Sequence, residues 1–249
     1  MTGSLDQPPA PGTMREVAPG LHWVRMPLPF ALDHVNLWLM EDGDGWTLVD
    51  TGLANDATRT AWREILAGPA AGRPVRRVIA THFHPDHIGL AGWFVEEFGV
   101  RFLATRTEFL TAHTVWSTPD ESASARQAAF FARHGLPADR VQEVRGRGNP
   151  YRRRAGAPPG AYVRIAEGDG IAIGGRTWRV VVGRGHAPEQ ACLHCAELGL
   201  LIAADQVLPH ITPNVSVLAH EPEADPLTDF LATLERFRSL PDGLTVLPS

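Results

Sequence analysis

The sequence predicts a mixed α/β (α+β) chain, with two strand-rich halves packed as two sheets face to face and helices outside. Two observations carry this expectation. Each half is a series of short apolar strands that finishes with a helix, and a long helical stretch separates the halves. There is neither a low-complexity tract nor a repeat of solenoid period to suggest another architecture. At 249 residues the chain can bury a large core.

Residues 1–13 are rich in Pro and Gly without a charged-then-apolar pattern, so they read as a tail rather than a signal peptide. Residues 1–20 are expected to be a flexible N-terminal tail, with one domain over 21–249. Strands are expected at 21–26, 35–41 and 45–49. Asp42-Gly43-Asp44 supplies hairpin chemistry between the last two. Asp50-Thr51-Gly52 ends a buried strand. A helix follows from Asn55, with Ala61, Trp62, Ile65 and Leu66 on one face and Gly68-Pro69 as its stop. The next strand is 75–80, then a helix over 88–98 terminated by Gly99, then a strand at 101–104. Residues 106–134 are helical in pattern and 137–160 read as a loop rich in Arg, Gly and Pro, so 106–160 is expected to form a cap-like insertion. The second half has strands at 162–165, 171–173, 177–182, 190–195 and 200–203. Asp225 then caps a last helix with Pro226 at its first position, and Leu227, Phe230, Leu231, Leu234 and Phe237 are expected to face inward. A final strand is expected at 244–247.

Composition removes several chemistries. All 23 basic residues are Arg. With no Lys, Schiff-base chemistry, pyridoxal-phosphate attachment and a P-loop are excluded. A formal charge of −5 gives no support to a nucleic-acid partner. No apolar stretch reaches the roughly 20 residues that span a bilayer, so a cytoplasmic, membrane-free protein is expected. Cys192 and Cys195 lie three apart on one strand and therefore on opposite faces. They read as two buried small hydrophobes rather than a redox or zinc pair.

The chemistry concentrates at Thr81-His82-Phe83-His84-Pro85-Asp86-His87. His82 and His84 alternate, so on an extended segment both imidazoles reach one metal ion, while Asp86 and His87 follow a turn at Pro85 and can serve a second. With 11 His in the chain, chance yields such a cluster on the order of once per thousand chains. Two buried strands add single ligand-type residues at their ends: His186 after Gly185, and Asp205 after Ala203-Ala204.

The order Asp50-Thr51-Gly52, His82-x-His84-x-Asp86-His87, Gly185-His186 and Asp205 resembles the metallo-β-lactamase superfamily over nearly the whole chain. The resemblance implies an αββα sandwich with a helical cap insertion and a binuclear centre at one edge. It assigns His82, His84 and His186 to a first metal and Asp86 and His87 to a second. Asp205 would bridge both, and Asp50 would steady the ligand loops. Asp at 205, where the best-known β-lactamase subclass has Cys, resembles the glyoxalase II, lactonase and RNA-processing branches. The superfamily carries one further His just after a final strand and Pro-Ser or Pro-Ala. The chain ends at Leu247-Pro248-Ser249, so the natural protein is expected to continue with that His and a helical C-terminal region. His210 and His220 have no spacing that argues for them as substitutes.

Zinc, two ions in the complete protein, is the expected cofactor, with iron or manganese as alternatives. Divalent metal lowers the pKa of bound water towards about 7, so a metal-bound hydroxide cleaving a thioester, lactone or ester is the expected chemistry. Asp86 is the catalytic candidate that orients the nucleophile. A phosphodiesterase, an iron-dependent dioxygenase on the same ligands and a degenerate non-catalytic metal binder are the rivals. The substrate is expected to be a small molecule, and an anionic one if Arg140, Arg145, Arg147, Arg152, Arg153 and Arg154 take part in its capture. Otherwise these arginines, like His34 and His210, are ordinary loop residues.

Overall fold

The computed structural model describes residues 7–249; the start of the expected tail, residues 1–6, lies outside the described residues. The tail reading is corrected from Met14 onward. Strand β1 (Met14–Ala18) pairs antiparallel with β2 (Leu21–Pro27), Met14 opposite Val24, and buries Val17. Its hydrogen bonds come from its neighbour, and the surrounding Pro11, Gly12 and Gly20 disguise so short a strand.

β3 (His34–Asp42) and β4 (Gly45–Val49) form the expected hairpin, with Asp42 paired to Gly45. Every residue of β4 is buried, as suits a strand covered on both faces. Helix α1 (Asp56–Ala67) starts where Asn55 Oδ1 accepts from Thr58 N at 2.8 Å, and it buries Ala61, Trp62 and Ile65. After β5 (Val75–Ile79) the expected single helix is two, α2 (Pro85–Ile88) and α3 (Ala91–Phe98). They part at Gly89, where the chain runs against the backbone of Gly52 and Ala54 too closely for any Cβ.

β6 (Arg101–Ala104) leads into α4 (Arg106–Ser117), α5 (Asp120–Arg133) and α6 (Ala138–Arg145), and the chain rejoins the sheet at β7 (Val163–Arg164). Residues 138–145 are thus helix where a loop was expected. Their apolar content is small, but Val141 and Val144 close a cluster with Ala128 of α5. β8 (Gly170–Ile173), β9 (Arg176–Gly183), β10 (Gln190–Cys195) and β11 (Leu200–Ala204) follow, then α7 (Pro226–Arg238) and β12 (Thr245–Pro248).

Strands β1 to β7 lie in sequential order in one sheet, and β12-β11-β10-β9-β8 form the other. Trp38, Met40, Val49, Ile79 and Leu103 of the first sheet meet Val180, Val182, Leu193 and Ile202 of the second in a common core. Trp62 of α1 and Phe94 of α3 pack on the outer face of the first sheet, and Phe237 of α7 on that of the second. The result is the αββα sandwich. The inward face expected of α7 is corrected in part: Phe230, Leu234 and Phe237 are half-buried, but Leu227 and Leu231 are 57% and 55% exposed, and Thr233 is the buried residue. Cys192 and Cys195 are free, buried and divided between the outer cluster and the inter-sheet core. No helix among the described residues is long and apolar enough to cross a membrane.

Candidate metal centre

The fold brings the chemistry-bearing residues to one edge because each follows the C-terminal end of a strand. Asp50 follows β4, His82 follows β5, His186 follows β9 and Asp205 follows β11. β4 and β5 run parallel, while β9 and β11 share a direction because both pair antiparallel with β10. Both sheets therefore present strand ends to a single rim.

At that rim three imidazole nitrogens converge. His82 Nε2 lies 3.0 Å from His84 Nδ1, which is 2.9 Å from His186 Nε2, and the circuit closes at 3.2 Å. Asp205 Oδ2 is 3.2 Å from His186 Nε2. One ligand atom from each of these four residues lies within 4.8 Å of the others. The far nitrogens indicate which lone pairs are free. His186 Nδ1 donates to the Asn214 carbonyl at 2.9 Å. Thr81 Oγ1 donates to Asp50 Oδ2 at 2.7 Å and so accepts from His82 Nδ1 at 3.0 Å. Nε2 of both His82 and His186 is then an acceptor, aimed at other acceptors. Burial, reinforced by neighbouring imidazoles, pushes His82 well below its ordinary pKa and His84 down to about 3. Neutral lone pairs pointed at one another repel unless a cation lies between them, so this donor set fits a divalent metal.

Asp86 and His87 face the other side of Asp205. His87 is fully buried, and its Nδ1 pairs with Asp50 Oδ2 at 2.8 Å. Its Nε2 has no hydrogen-bond partner; Asp205 Oδ1 and Asp86 Oδ2 stand 3.5 and 3.9 Å away. Burial works to lower the pKa of His87, but the carboxylates of Asp205, Asp50 and Asp86 outweigh it and hold the group well above its ordinary value. Burial likewise opposes the charge of Asp205, and the surrounding histidines, His87 foremost, still keep its pKa well below the usual range. Three carboxylates around one buried imidazole call for positive charge, which a second cation would supply. Asp50 serves both halves of the site, since its Oδ1 also accepts from Thr81 N at 2.7 Å.

A cavity of about 740 Å³ opens over Asp86, His186 and Asp205, walled by Trp23, Leu28 and Leu208. His34 and His210 also line it, but neither is in the cluster of four. His220 lines a separate hollow beside His84. Of the expected arginine cluster, Arg140 and Arg147 pair with Glu143 on the surface, Arg152 lies over Trp116 and Arg154 over Phe30.

Sequence reasoning missed Thr81, Glu108 and Tyr151. Glu108, on α4, is fully buried and accepts from Phe83 N at 2.8 Å and Glu189 N at 2.6 Å. The Tyr151 hydroxyl donates to the Phe83 carbonyl at 2.6 Å. Neither Glu108, which reads as an ordinary acid in the first turn of a helix, nor Tyr151 left a signal in the sequence.

The profile of the Metallo-beta-lactamase superfamily matches residues 31–249. A protein named "Probable metallo-hydrolase YqjP" from Bacillus subtilis (strain 168) is 28% identical over 235 residues, covering 90% of this chain and 69% of that protein. The crystal structure of a Beta-lactamase domain protein from Burkholderia ambifaria superposes with a TM-score of 0.89 at 44% identity, over 98% of this chain and 71% of that one. A metallo-beta-lactamase family protein from Thermus thermophilus, TTHA1429, gives 0.77 at 33% identity, over 92% and 73%.

Proposed function

Because the chain belongs to the metallo-beta-lactamase superfamily and carries a His/Asp metal cluster, we propose that it hydrolyses ester-type bonds: thioesters, lactones or esters of small molecules. At the coarser level it is a metal-dependent hydrolase of that superfamily. His82, His84 and His186 would hold one ion, Asp86 and His87 a second, and Asp205 both. We take zinc as the metal. When bound, such ions supply Lewis-acid polarisation of a carbonyl and make water acidic enough to ionise near neutral pH.

The remaining work falls to the chain's own residues. Asp205 turns one oxygen to each half of the site. Asp86, 29% exposed at its side chain and part of the cavity wall, would accept a proton from attacking water and hold its direction. Trp23, Leu28 and Leu208 offer an apolar bed to the rest of the substrate. No covalent nucleophile is needed, and burial pushes the Cys192 thiol up to about 12, which removes it as one.

The observation that carries this reading is the convergence of three imidazole nitrogens and Asp205 on one point. Elemental analysis of the purified protein, followed by thioester, lactone and phosphodiester substrates, tests it. Zinc with turnover of an ester-type substrate is expected. Iron with oxygen consumption would overturn it in favour of a dioxygenase, and bound metal without any turnover would favour a non-catalytic binder.

A further inference from the structure

We propose that Glu108 is a positioning residue for the metal centre: its single carboxylate locks the His82–His84 loop to the loop that follows His186. The inference rests on the metal-centre reading above. Glu108 Oε2 accepts from the backbone N–H of Phe83, the residue between His82 and His84. Its Oε1 accepts from the N–H of Glu189, three residues beyond His186. These loops hang from different sheets, following β5 and β9. The carboxylate joins them directly, and it arrives from neither sheet but from the first turn of α4.

The partners of Glu108 are themselves held. The Phe83 carbonyl accepts from the Tyr151 hydroxyl at 2.6 Å, so both polar groups of that residue are tied to the cap insertion. The Glu189 carbonyl accepts from Thr105 Oγ1 at 2.8 Å, and its carboxylate from Thr107 N at 2.9 Å. Glu108 is closed off from solvent and so cannot touch substrate; it acts through the loops. An apolar residue would fill the same space without the cost of burying an acid. What a carboxylate adds is two acceptors at fixed separation, and hence a fixed distance between His84 and His186. Partners hydrogen-bonded to the ligands themselves are worth about 10–100-fold in metal affinity; Glu108 holds the backbone beside them, so the lower end of that range applies to it.

Glu108→Gln removes one of the two acceptors, leaving an N–H facing an NH2 group. The full-length protein and this variant are compared by zinc affinity in competition with a chromophoric chelator, by the visible spectrum of the cobalt(II)-substituted form, and by the melting of the metal-free form. A rise in Kd of about tenfold or more, with an altered cobalt spectrum, is expected. Tyr151→Phe should raise Kd several-fold in the same direction. A variant that melts lower but binds zinc within twofold of wild type, with an unchanged cobalt spectrum, would show a merely structural role and overturn the proposal. If Glu108→Gln does not fold, Tyr151→Phe decides alone, and unchanged affinity there overturns it. A wild type that binds no zinc or cobalt sinks this proposal together with the hydrolase reading. One that binds metal but cleaves no ester-type substrate removes only the latter, and the affinity ratio still decides Glu108.

Discussion

Asp50 and Ala204 are the non-glycine residues with positive φ among the described residues, at 65° and 45°, and both belong to the rim of the metal centre. Such backbone costs on the order of 1 kcal/mol or more and persists where surrounding contacts enforce it. At Asp50 those contacts are the hydrogen bonds to Thr81 N, Thr81 Oγ1 and His87 Nδ1, which engage both oxygens. Ala204 turns the chain at the end of β11 immediately before Asp205. Asp50→Asn keeps the size but offers one acceptor oxygen, so either Thr81 or His87 must lose its partner. Metal affinity should fall about 10–100-fold with the circular dichroism spectrum unchanged; chelator competition measures it, and an unaltered Kd would remove Asp50 from the site. His84→Ala is the sharper change. With one of three converging imidazoles gone, metal content should drop and turnover fall to background. Retained activity would contradict the ligand assignment.

At the scale of elements, the tightest demand is where α3 crosses the chain returning from the cap. A Cβ on Gly92 would strike the carbonyl of Ala157, which is backbone and cannot swing aside. Gly92→Ala should therefore cost about 1–3 kcal/mol, read as a lower urea midpoint at an unchanged slope. An unshifted midpoint would mean that the crossing is loose. That crossing was not visible in the sequence, since it depends on which loop arrives there. By contrast α1 was legible almost to the residue, because Asn55, its apolar face and Gly68 are all local signals. The His/Asp heptapeptide was legible for the same reason, with its members adjacent along the chain. α7 misled in part: its apolar spacing does turn Phe230, Leu234 and Phe237 partly inward, but the sheet beneath takes Thr233 and leaves Leu227 and Leu231 out, so the partner as well as the period chose the face. Glu108 was hidden differently. An acid in the first turn of a helix ordinarily answers the helix dipole, and only the arrival of Phe83 and Glu189 gives it another task.

For the whole molecule, the consequence of tying two sheets through one buried acid is a distinctive pH dependence of stability. Burial pushes the Glu108 carboxyl from its ordinary 4.5 up to about 7, although the two N–H donors pull the other way. A folded-state pKa above the unfolded one means that the native protein retains a proton which the unfolded chain has already released. The associated stability is fully present below pH 4.5 and is lost as pH rises to about 7. Titrating histidines have opposite signs in the same range, His84 losing stability towards acid and the raised His87 towards alkali. The raw curve is therefore a mixture, and the difference between wild type and Glu108→Gln isolates the carboxyl. For the metal-free proteins, the wild-type stability relative to the variant should decline by up to roughly 3 kcal/mol between about pH 4.5 and 8. Urea unfolding at several pH values measures that difference. A flat line would mean that Glu108 is already ionised throughout, with its two N–H donors sufficient to hold the charge.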